Sequence, residues 1–536
     1  VSTVVHRLKA LAAEPSGPWS AAASLVLGAV SVLGYAPLYF YPVPVLALAG
    51  AALFWLRTPS AKAATLNGFA YGLGLFGAGV SWVYVSLHDY GGMPLPVAAA
   101  CTAAFCAYLA LYPAAVALLM RRLSASSTIA LLLVLPAAWT LSEWLRGWIF
   151  TGFPWLALGY SQVPLSPLAG FAPLTGVFGV SLASAALAGA LALLVERGWS
   201  RRLLPAREQI RAVARQSSLW MAVALVAAGF ALQSQEWTRP SGDSTSVALI
   251  QGNVAQELKW RPERARQTLD LYLELARSTR QRLTLLPETA LPMFNVDLPH
   301  GYLDQLAAHV RDHGGDLLTG VPEYAGPGRY YNSVISLGSS PQQVYRKVHL
   351  VPFGDYFPLK WLFGWFMRLL EIPMSDFSHG SPDQKPIAVA GQKVAANICY
   401  EDVFGEEIIR QLPEATLLAN FTNDAWWGRS LGSHQHLQIA QMRSLETGRF
   451  MLRATNTGVT AIIDPRGRLV QAAPQFAVAI ISADVHGHTG ATPYVRWGNV
   501  FVVLVAAAML LGALLARHGL RSLSASPGRI RRRETR

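Results

Sequence analysis

The chain has 536 residues, enough for more than one domain. Hydrophobic residues make up 52% and charged residues only 14%, with a mean hydropathy of +0.31; a soluble protein carries roughly 25% charged residues, so a wholly soluble enzyme is excluded and an integral membrane protein indicated. The net charge of +13 does not mark a nucleic-acid partner, because the arginines gather beside apolar segments and in the tail (Arg529, Arg531, Arg532, Arg533, Arg536), where membrane topology accounts for them.

Residues 1–17 read as a basic N-terminus, with His6, Arg7 and Lys9 ahead of an apolar run that continues into further spans, so the first segment is expected to remain as an anchor. A span needs about 20 mostly apolar residues to cross ~30 Å of hydrocarbon. Seven such stretches fill residues 18–235, at 18–36, 41–57, 65–86, 94–120, 127–147, 168–195 and 217–234, and an eighth lies at 496–516. With the N-terminus inside, the inner loops carry Arg57 and Lys62, Arg121 and Arg122, then Arg197, Arg201, Arg202, Arg207, Arg211 and Arg215. The basic tail 517–536 is also inner, while the short outer loops offer little beyond Arg146. This bias puts both termini in the cytoplasm and residues 243–490 outside it, in the periplasm of a Gram-negative cell.

Region 243–490 changes character. Short β-rich runs at 246–251, 283–286, 316–321, 334–337, 394–398, 416–420, 459–463 and 477–483 alternate with helical stretches. A helix is predicted over 262–280, with proline in its first turn and Leu269, Tyr272, Leu273 and Ala276 on one face. Strands alternating with amphipathic helices indicate a layered α/β domain.

Three local motifs in this region each present a chemically active side chain at the end of an apolar strand. Leu285-Leu-Pro-Glu-Thr-Ala290 presents Glu288, Tyr345-Arg-Lys-Val-His-Leu-Val-Pro-Phe-Gly-Asp355 presents Lys347, and Asn397-Ile-Cys-Tyr-Glu401 presents Cys399. Singly they read as a loop acid, a surface cation and a core thiol. Jointly they supply a base for a thiol, a cation for an oxyanion and a nucleophile. Cys101 and Cys106 lie in one apolar run, so Cys399 has no disulfide partner in its own domain.

Glu, Lys and Cys in this order resemble the triad of the nitrilase superfamily. Within it, the stretches 346–356 and 397–401, Gln251-Gly-Asn253 with Trp260, Asn423-Asp-Ala-Trp426, Glu143-Trp-Leu-Arg-Gly-Trp148 and Thr151-Gly-Phe-Pro-Trp155 are similar to motifs of the apolipoprotein N-acyltransferase family. The resemblance covers nearly the whole chain. It implies a bundle of about eight transmembrane helices and an αββα nitrilase-like sandwich inserted before the last of them. It also implies acyl transfer from a membrane phospholipid (typically phosphatidylethanolamine) through a cysteine thioester to the α-amine of a diacylglyceryl-cysteine on an apolipoprotein. No cofactor or metal is implied, and a monomer suffices.

By the same resemblance Glu288 is the general base, Lys347 the oxyanion cation and Cys399 the nucleophile, with Asp355, Tyr400 and Glu401 in support. Asp355 stands where the family usually has Glu, which keeps the charge and shortens the reach. Trp260, Asn332, Asn423, Trp426, Glu446 and Arg449 match positions that shape the substrate site. Residues 357–373 are apolar and aromatic but broken by Lys360 and Arg368, a composition suited to an interfacial lipid-access arm carrying Trp361, Trp365 and Phe366, or else to a buried helix. Trp426-Trp427-Gly428 reads as a second lip of the pocket. His434-Gln-His436 lacks the clustered partners of a metal site and reads as a helix start with a polar face. The rival function is a membrane-tethered nitrilase-type amidase, with water as acceptor.

Overall fold

The computed structural model describes residues 18–200, 208, 212–358, 361 and 376–524. The N-terminal part is helical: α1 (Pro18–Ser31), α2 (Pro42–Arg57), α3 (Ala61–Gly79), α4 (Leu95–Leu123), α5 (Leu135–Arg146), α6 (Ala172–Ser200) and α7 (Ser217–Gln233). Every stretch expected to span is helical, and among the described residues four helices, or up to five, are long and apolar enough to cross a membrane. By length and composition Leu95–Leu123, Ser127–Arg146, Pro167–Gly198 and Val500–His518 can cross a membrane. A fifth candidate is a pair, Ala61–Gly79 and Trp82–Tyr90, bent by 50°. Trp19–Gly34, Pro42–Arg57 and Ser217–Gln233 are shorter; the 16 residues of α2 rise only about 24 Å, less than the ~30 Å of a hydrocarbon core. Prolines at 37, 42 and 44 set the ends of α1 and α2, which hydropathy alone could not place. Small residues draw the helices together: a Cβ at Gly28 would run into the Tyr71 carbonyl oxygen, and one at Gly74 into that of Leu25, so α1 and α3 meet backbone to backbone.

The α/β part begins with β1 (Arg239–Gln251), followed by α8 (Pro262–Arg277), β2 (Leu283–Leu285), α9 (Tyr302–Arg311), β3 (Asp316–Tyr324), β4 (Tyr330–Gly338) and β5 (Val344–Arg346). Its second half holds β6 (Ile387–Val389), β7 (Gln392–Ile398), β8 (Leu417–Thr422), α10 (Gly432–Thr447), β9 (Met451–Thr455), β10 (Ala461–Ile463), β11 (Leu469–Ala472) and β12 (Ala479–Thr489). Helix α11 (Val500–Ser524) returns the chain to the bundle, against α5.

The strands form two six-stranded sheets, ordered β12-β1-β2-β3-β4-β5 and β11-β10-β9-β8-β7-β6. Period-two alternation sorts their side chains. Val247 and Leu249 of β1 face Ile398, Phe421 and Leu452 of the other sheet, while Ile250 turns outward onto Leu269 and Tyr272 of α8. Likewise Leu418 and Met451 turn outward onto Leu437 and Ala440 of α10. This is the expected αββα sandwich. β5, β6, β9 and β11 were not foreseen: β9 is interrupted by Arg453, all four residues of β11 are exposed, and the other two are three residues long.

β1, β2 and β3 run parallel, as do β7, β8 and β9. Their carboxyl ends therefore open on one side, the usual place for a site in α/β sheets. The bundle shares a core with this domain, since Tyr400, Trp427, Ile439 and Met442 pack with Val32, Trp82, Trp155 and Val177. Helix α10 lies at that junction. Gln435 Oε1 accepts from Trp82 Nε1 (3.2 Å) and Trp155 Nε1 (2.7 Å). Gln438 accepts from Ala36 N (2.9 Å) and donates to Val163 O (2.9 Å).

Candidate active site

Cys399 follows β7 at the first residue of a 3-10 turn, Cys399–Val403, with φ +53°. A non-glycine residue in left-handed backbone persists only where its surroundings hold it, and such positions gather at functional sites. Here the Cys399 carbonyl accepts from Asn420 Nδ2 at 3.1 Å, and His436 Nε2 lies 3.3 Å away. Burial pushes the thiol well above its ordinary value; Glu288 adds to the rise and Lys347 opposes it. Both side chains thus act on the thiol electrostatically, and the sulfur rests as S–H.

Glu288 follows β2. Its Oε1 accepts from Asn332 Nδ2 (2.7 Å), and its Oε2 accepts from the Asn423 backbone N–H (2.9 Å). Lys347 follows β5, with Nζ 2.7 Å from Asp355 Oδ2 and 3.7 Å from Glu288 Oε1. Burial alone would lower the Lys347 ammonium, but Asp355 and then Glu288 outweigh it, so its pKa is raised and the charge is retained. The shorter Asp355 does reach the lysine, because its own Oδ2 is drawn in by the Val351 N–H at 2.8 Å.

Glu401 joins the two strand ends. Its Oε2 accepts from the Ile398 N–H (2.6 Å) and Tyr345 Oη (3.1 Å), and its Oε1 from the N–H groups of Val348 (2.6 Å) and His349 (3.1 Å). Burial still raises this carboxyl to about 7 against those donors. Glu401→Gln is expected to cost about 1–3 kcal/mol, because an amide NH₂ must face one of the donors and leave it unsatisfied. The thermal midpoint in detergent and the acylation rate should fall together.

Tyr400 points the other way, into the bundle. Its Oη donates to Gly152 O (3.0 Å), and its ring stacks on Trp155 and Phe153, each with centroids 6.4 Å apart. That loop is shaped by the Glu143–Arg146 motif: Glu143 Oε1 accepts from Trp139 Nε1 (2.7 Å) and the Leu158 N–H (2.8 Å), while Arg146 Nη1 donates to the carbonyls of Phe153 and Trp155. Two motifs far apart in sequence therefore form one aromatic wall beside the nucleophile.

The remaining candidate residues divide. Asn332 and Asn423 hold Glu288, and Trp260 sits beside Lys259, whose Nζ lies 5.8 Å from its ring centroid. Trp426 is half-buried; its carbonyl accepts from Ser86 Oγ (2.9 Å). Trp427 is no lip, because it is packed between Trp82, Trp155 and His436. Glu446 and Arg449 are brought elsewhere. Glu446 accepts from the Val177 N–H (2.7 Å) and Arg443 Nη2 (2.9 Å), and Arg449 donates to the carbonyls of Ala415, Thr447 and Gly490. Among the described residues neither has a polar contact with Glu288, Lys347 or Cys399; Glu446 ties α10 to the bundle, and Arg449 ties together loops of the sandwich. Trp361 is 82% exposed; Trp365 and Phe366 lie outside the described residues.

Sequence reading missed three groups. Lys259 donates to the Glu288 carbonyl (3.1 Å), and burial lowers its ammonium to about 8. Asn456 Nδ2 donates to Asn423 Oδ1 (3.0 Å), and Asn423 Nδ2 donates to Gln256 Oε1 (2.8 Å). Under Cys399, His436 lies between Asp402 (2.8 Å) and Asp424 (2.9 Å), and Arg453 reaches both carboxylates at 3.4 and 2.8 Å. Burial and Arg453 oppose protonation of His436, but the two carboxylates outweigh them and raise its pKa. His434-Gln-His436 thus contributes His436 to a buried cluster with Asp402, Asp424 and Arg453, whose Nη2 also lies 2.9 Å from His436 Nδ1.

Residues 27–191 match the apolipoprotein N-acyltransferase N-terminal domain, and residues 246–494 match the carbon-nitrogen hydrolase family. Among similar proteins, the apolipoprotein N-acyltransferase of Nitrosomonas europaea is 50% identical over 501 residues, covering 93% of this chain and 98% of that protein. Those of Chromobacterium violaceum and Methylococcus capsulatus are 44% and 43% identical, covering 92% and 94% of this chain and 93% and 97% of theirs. With a relative this similar along almost its whole length, and with a nitrilase-type sandwich set on an apolar helical bundle, the chain belongs to the apolipoprotein N-acyltransferase family.

Proposed function

We propose that this protein transfers an acyl chain from a membrane phospholipid to the α-amino group of an N-terminal diacylglyceryl-cysteine, through a thioester on Cys399. The observation that carries the reading is a thiol on a strained turn, under the fields of Glu288 and of Lys347. In the first half-reaction the Glu288 carboxylate takes the proton from sulfur as the thiolate attacks the ester carbonyl of the lipid. The oxyanion that forms is met by the Lys347 ammonium, with the backbone N–H at Tyr400 as second donor. Collapse breaks the ester C–O bond, the glycerol oxygen recovers the proton from Glu288, and a lysophospholipid departs. In the second half-reaction the amine attacks the thioester carbonyl and loses a proton to Glu288. The C–S bond then breaks, and the thiolate is reprotonated.

Phosphatidylethanolamine is the proposed donor, a diacylated apolipoprotein the acceptor, and a monomer the working unit. We place the bundle in the bacterial inner membrane with the sandwich on the periplasmic side and both termini in the cytoplasm. In support, Arg121 and Arg517 lie at the bundle end away from the sandwich, where they donate to the carbonyls of Leu56 and Arg122. Positive residues favour the cytoplasmic face. The test is mass spectrometry of the intact protein after incubation with phospholipid. An acyl mass on the peptide containing Cys399, discharged by a diacylated lipopeptide, is expected. An unmodified thiol, with ammonia released from soluble amides, would overturn the reading in favour of an amidase.

A further inference from the structure

A cleft of about 890 Å³ opens at the junction of bundle and sandwich, lined by none of the residues assigned to acyl transfer. It sits at the far end of α10. His436 of that helix lies under Cys399, whereas Leu445 lines the cleft; nine residues of helix separate them by about 13 Å.

Its two walls differ in chemistry. The bundle contributes Leu165, Ala169 and Pro173 ahead of and within the first turns of α6, and Leu232 near the end of α7. Leu165 is 61% exposed at the opening. The sandwich contributes Arg466 and Arg468. Arg466 makes only a long pair with Glu236 across the rim, at 3.7 Å. Arg468 is exposed and has no ion-pair partner among the described residues. The nearby Asp464 does not neutralise it by contact, because Asp464 Oδ1 accepts the backbone N–H groups of Arg466 and Arg468, each at 2.9 Å. Between the walls, the Trp237 Nε1–H is buried with no acceptor among the described residues. A buried donor of this kind is unfavourable until an acceptor arrives.

We propose that this cleft is a phospholipid-docking site, separate from the thiol. The phosphate diester accepts from Arg468 and the Trp237 indole, and Glu236 with Arg466 meets the polar end of the headgroup. An acyl chain lies along Leu165 and Leu232. An apolar wall beside one unpaired and one loosely paired arginine is the pattern of an anionic or zwitterionic lipid rather than of a soluble anion, which has no use for the apolar wall. The proposal rests on the chain's being membrane-inserted and not on the reaction at Cys399.

The test is native mass spectrometry of the full-length protein in detergent with added phosphatidylethanolamine, counting non-covalent lipid apart from acyl thioester. Wild type should retain one phospholipid. Trp237→Phe with Arg468→Glu should weaken its retention at least about tenfold, the factor that 1.4 kcal/mol makes, while thioester formation at Cys399 stays unchanged. Leu165→Glu, at an exposed residue that cannot upset the core, should weaken retention in the same direction. Inorganic phosphate should not displace the lipid. Unchanged retention in these variants would overturn the proposal, as would displacement by phosphate. So would loss of diacylated-peptide binding in the variants with lipid retention intact. Loss of the Cys399 thioester with retention intact would instead count against the catalytic reading.

Discussion

Cys399→Ser is expected to abolish the acyl-enzyme and N-acylation together, and Glu288→Gln to slow both half-reactions by about 10²–10⁴-fold, the range of general acid–base catalysis. The reason lies in the resting state of the sulfur. Burial, with Glu288 beside it, holds the thiol protonated, and Lys347 only partly offsets this. Almost no thiolate is therefore available before the substrate arrives, and the proton has to leave as the carbon–sulfur bond forms. The carboxylate that acts on the thiol, Glu288, is held by Asn332 Nδ2 and the Asn423 N–H, and is the proposed acceptor. Serine keeps the geometry but offers a far weaker nucleophile, and an oxyester is less reactive towards an amine than a thioester. Glutamine keeps the shape of the base and removes its proton affinity. Single-turnover acylation from phospholipid, followed by discharge to a lipopeptide, separates the two half-reactions. Wild-type acylation in Glu288→Gln would sink the assignment of the base.

Glu288 and Cys399 were legible as candidates because each follows an apolar strand, β2 or β7, and is the reactive side chain at its end. Asp355 looked too short for its task, since reach is a property of the loop and not of the residue; the Val351 N–H draws it in. Glu446 and Arg449 were read as part of the substrate site because their place in the sequence matched, whereas the observed partners are Arg443 and the Val177 N–H for Glu446 and sandwich carbonyls for Arg449. Helix α10 was the hardest element to read. Gln435, Gln438 and Gln441 look like a solvated face, yet all are buried, because loops of the bundle lack partners that these amides supply. Polar periodicity reports which face is polar, not whether water covers it. Span lengths failed for a related reason, since hydropathy continues through the prolines and glycines that end or bend a helix.

Arg453→Met is expected to destabilise the sandwich by about 3–5 kcal/mol, the usual result of removing one partner from a buried ionic group. Arg453 reaches Asp402 and Asp424, and it also donates to Asn420 Oδ1 at 2.6 Å. Without it, two buried carboxylates are left with His436 as their only basic partner among the described residues, and Asn420 Oδ1 loses its donor. Asn420 in turn donates to the Cys399 carbonyl, so the loss reaches the turn that carries the nucleophile. Arg453→Lys should recover only part of the stability, because a single ammonium cannot serve both carboxylates and an amide. The sign of the pH dependence follows from His436, whose folded pKa is raised by Asp402 and Asp424 against burial and Arg453. Its contribution is complete below the unfolded value of about 6.5 and is lost as pH climbs through the folded value. The wild-type thermal midpoint should therefore decline on the alkaline side. In Arg453→Met that decline should begin at higher pH, because the neighbouring positive charge that opposes protonation has gone. An unchanged midpoint together with an unchanged rate of thioester formation would mean that the quartet neither stabilises the sandwich nor positions Cys399.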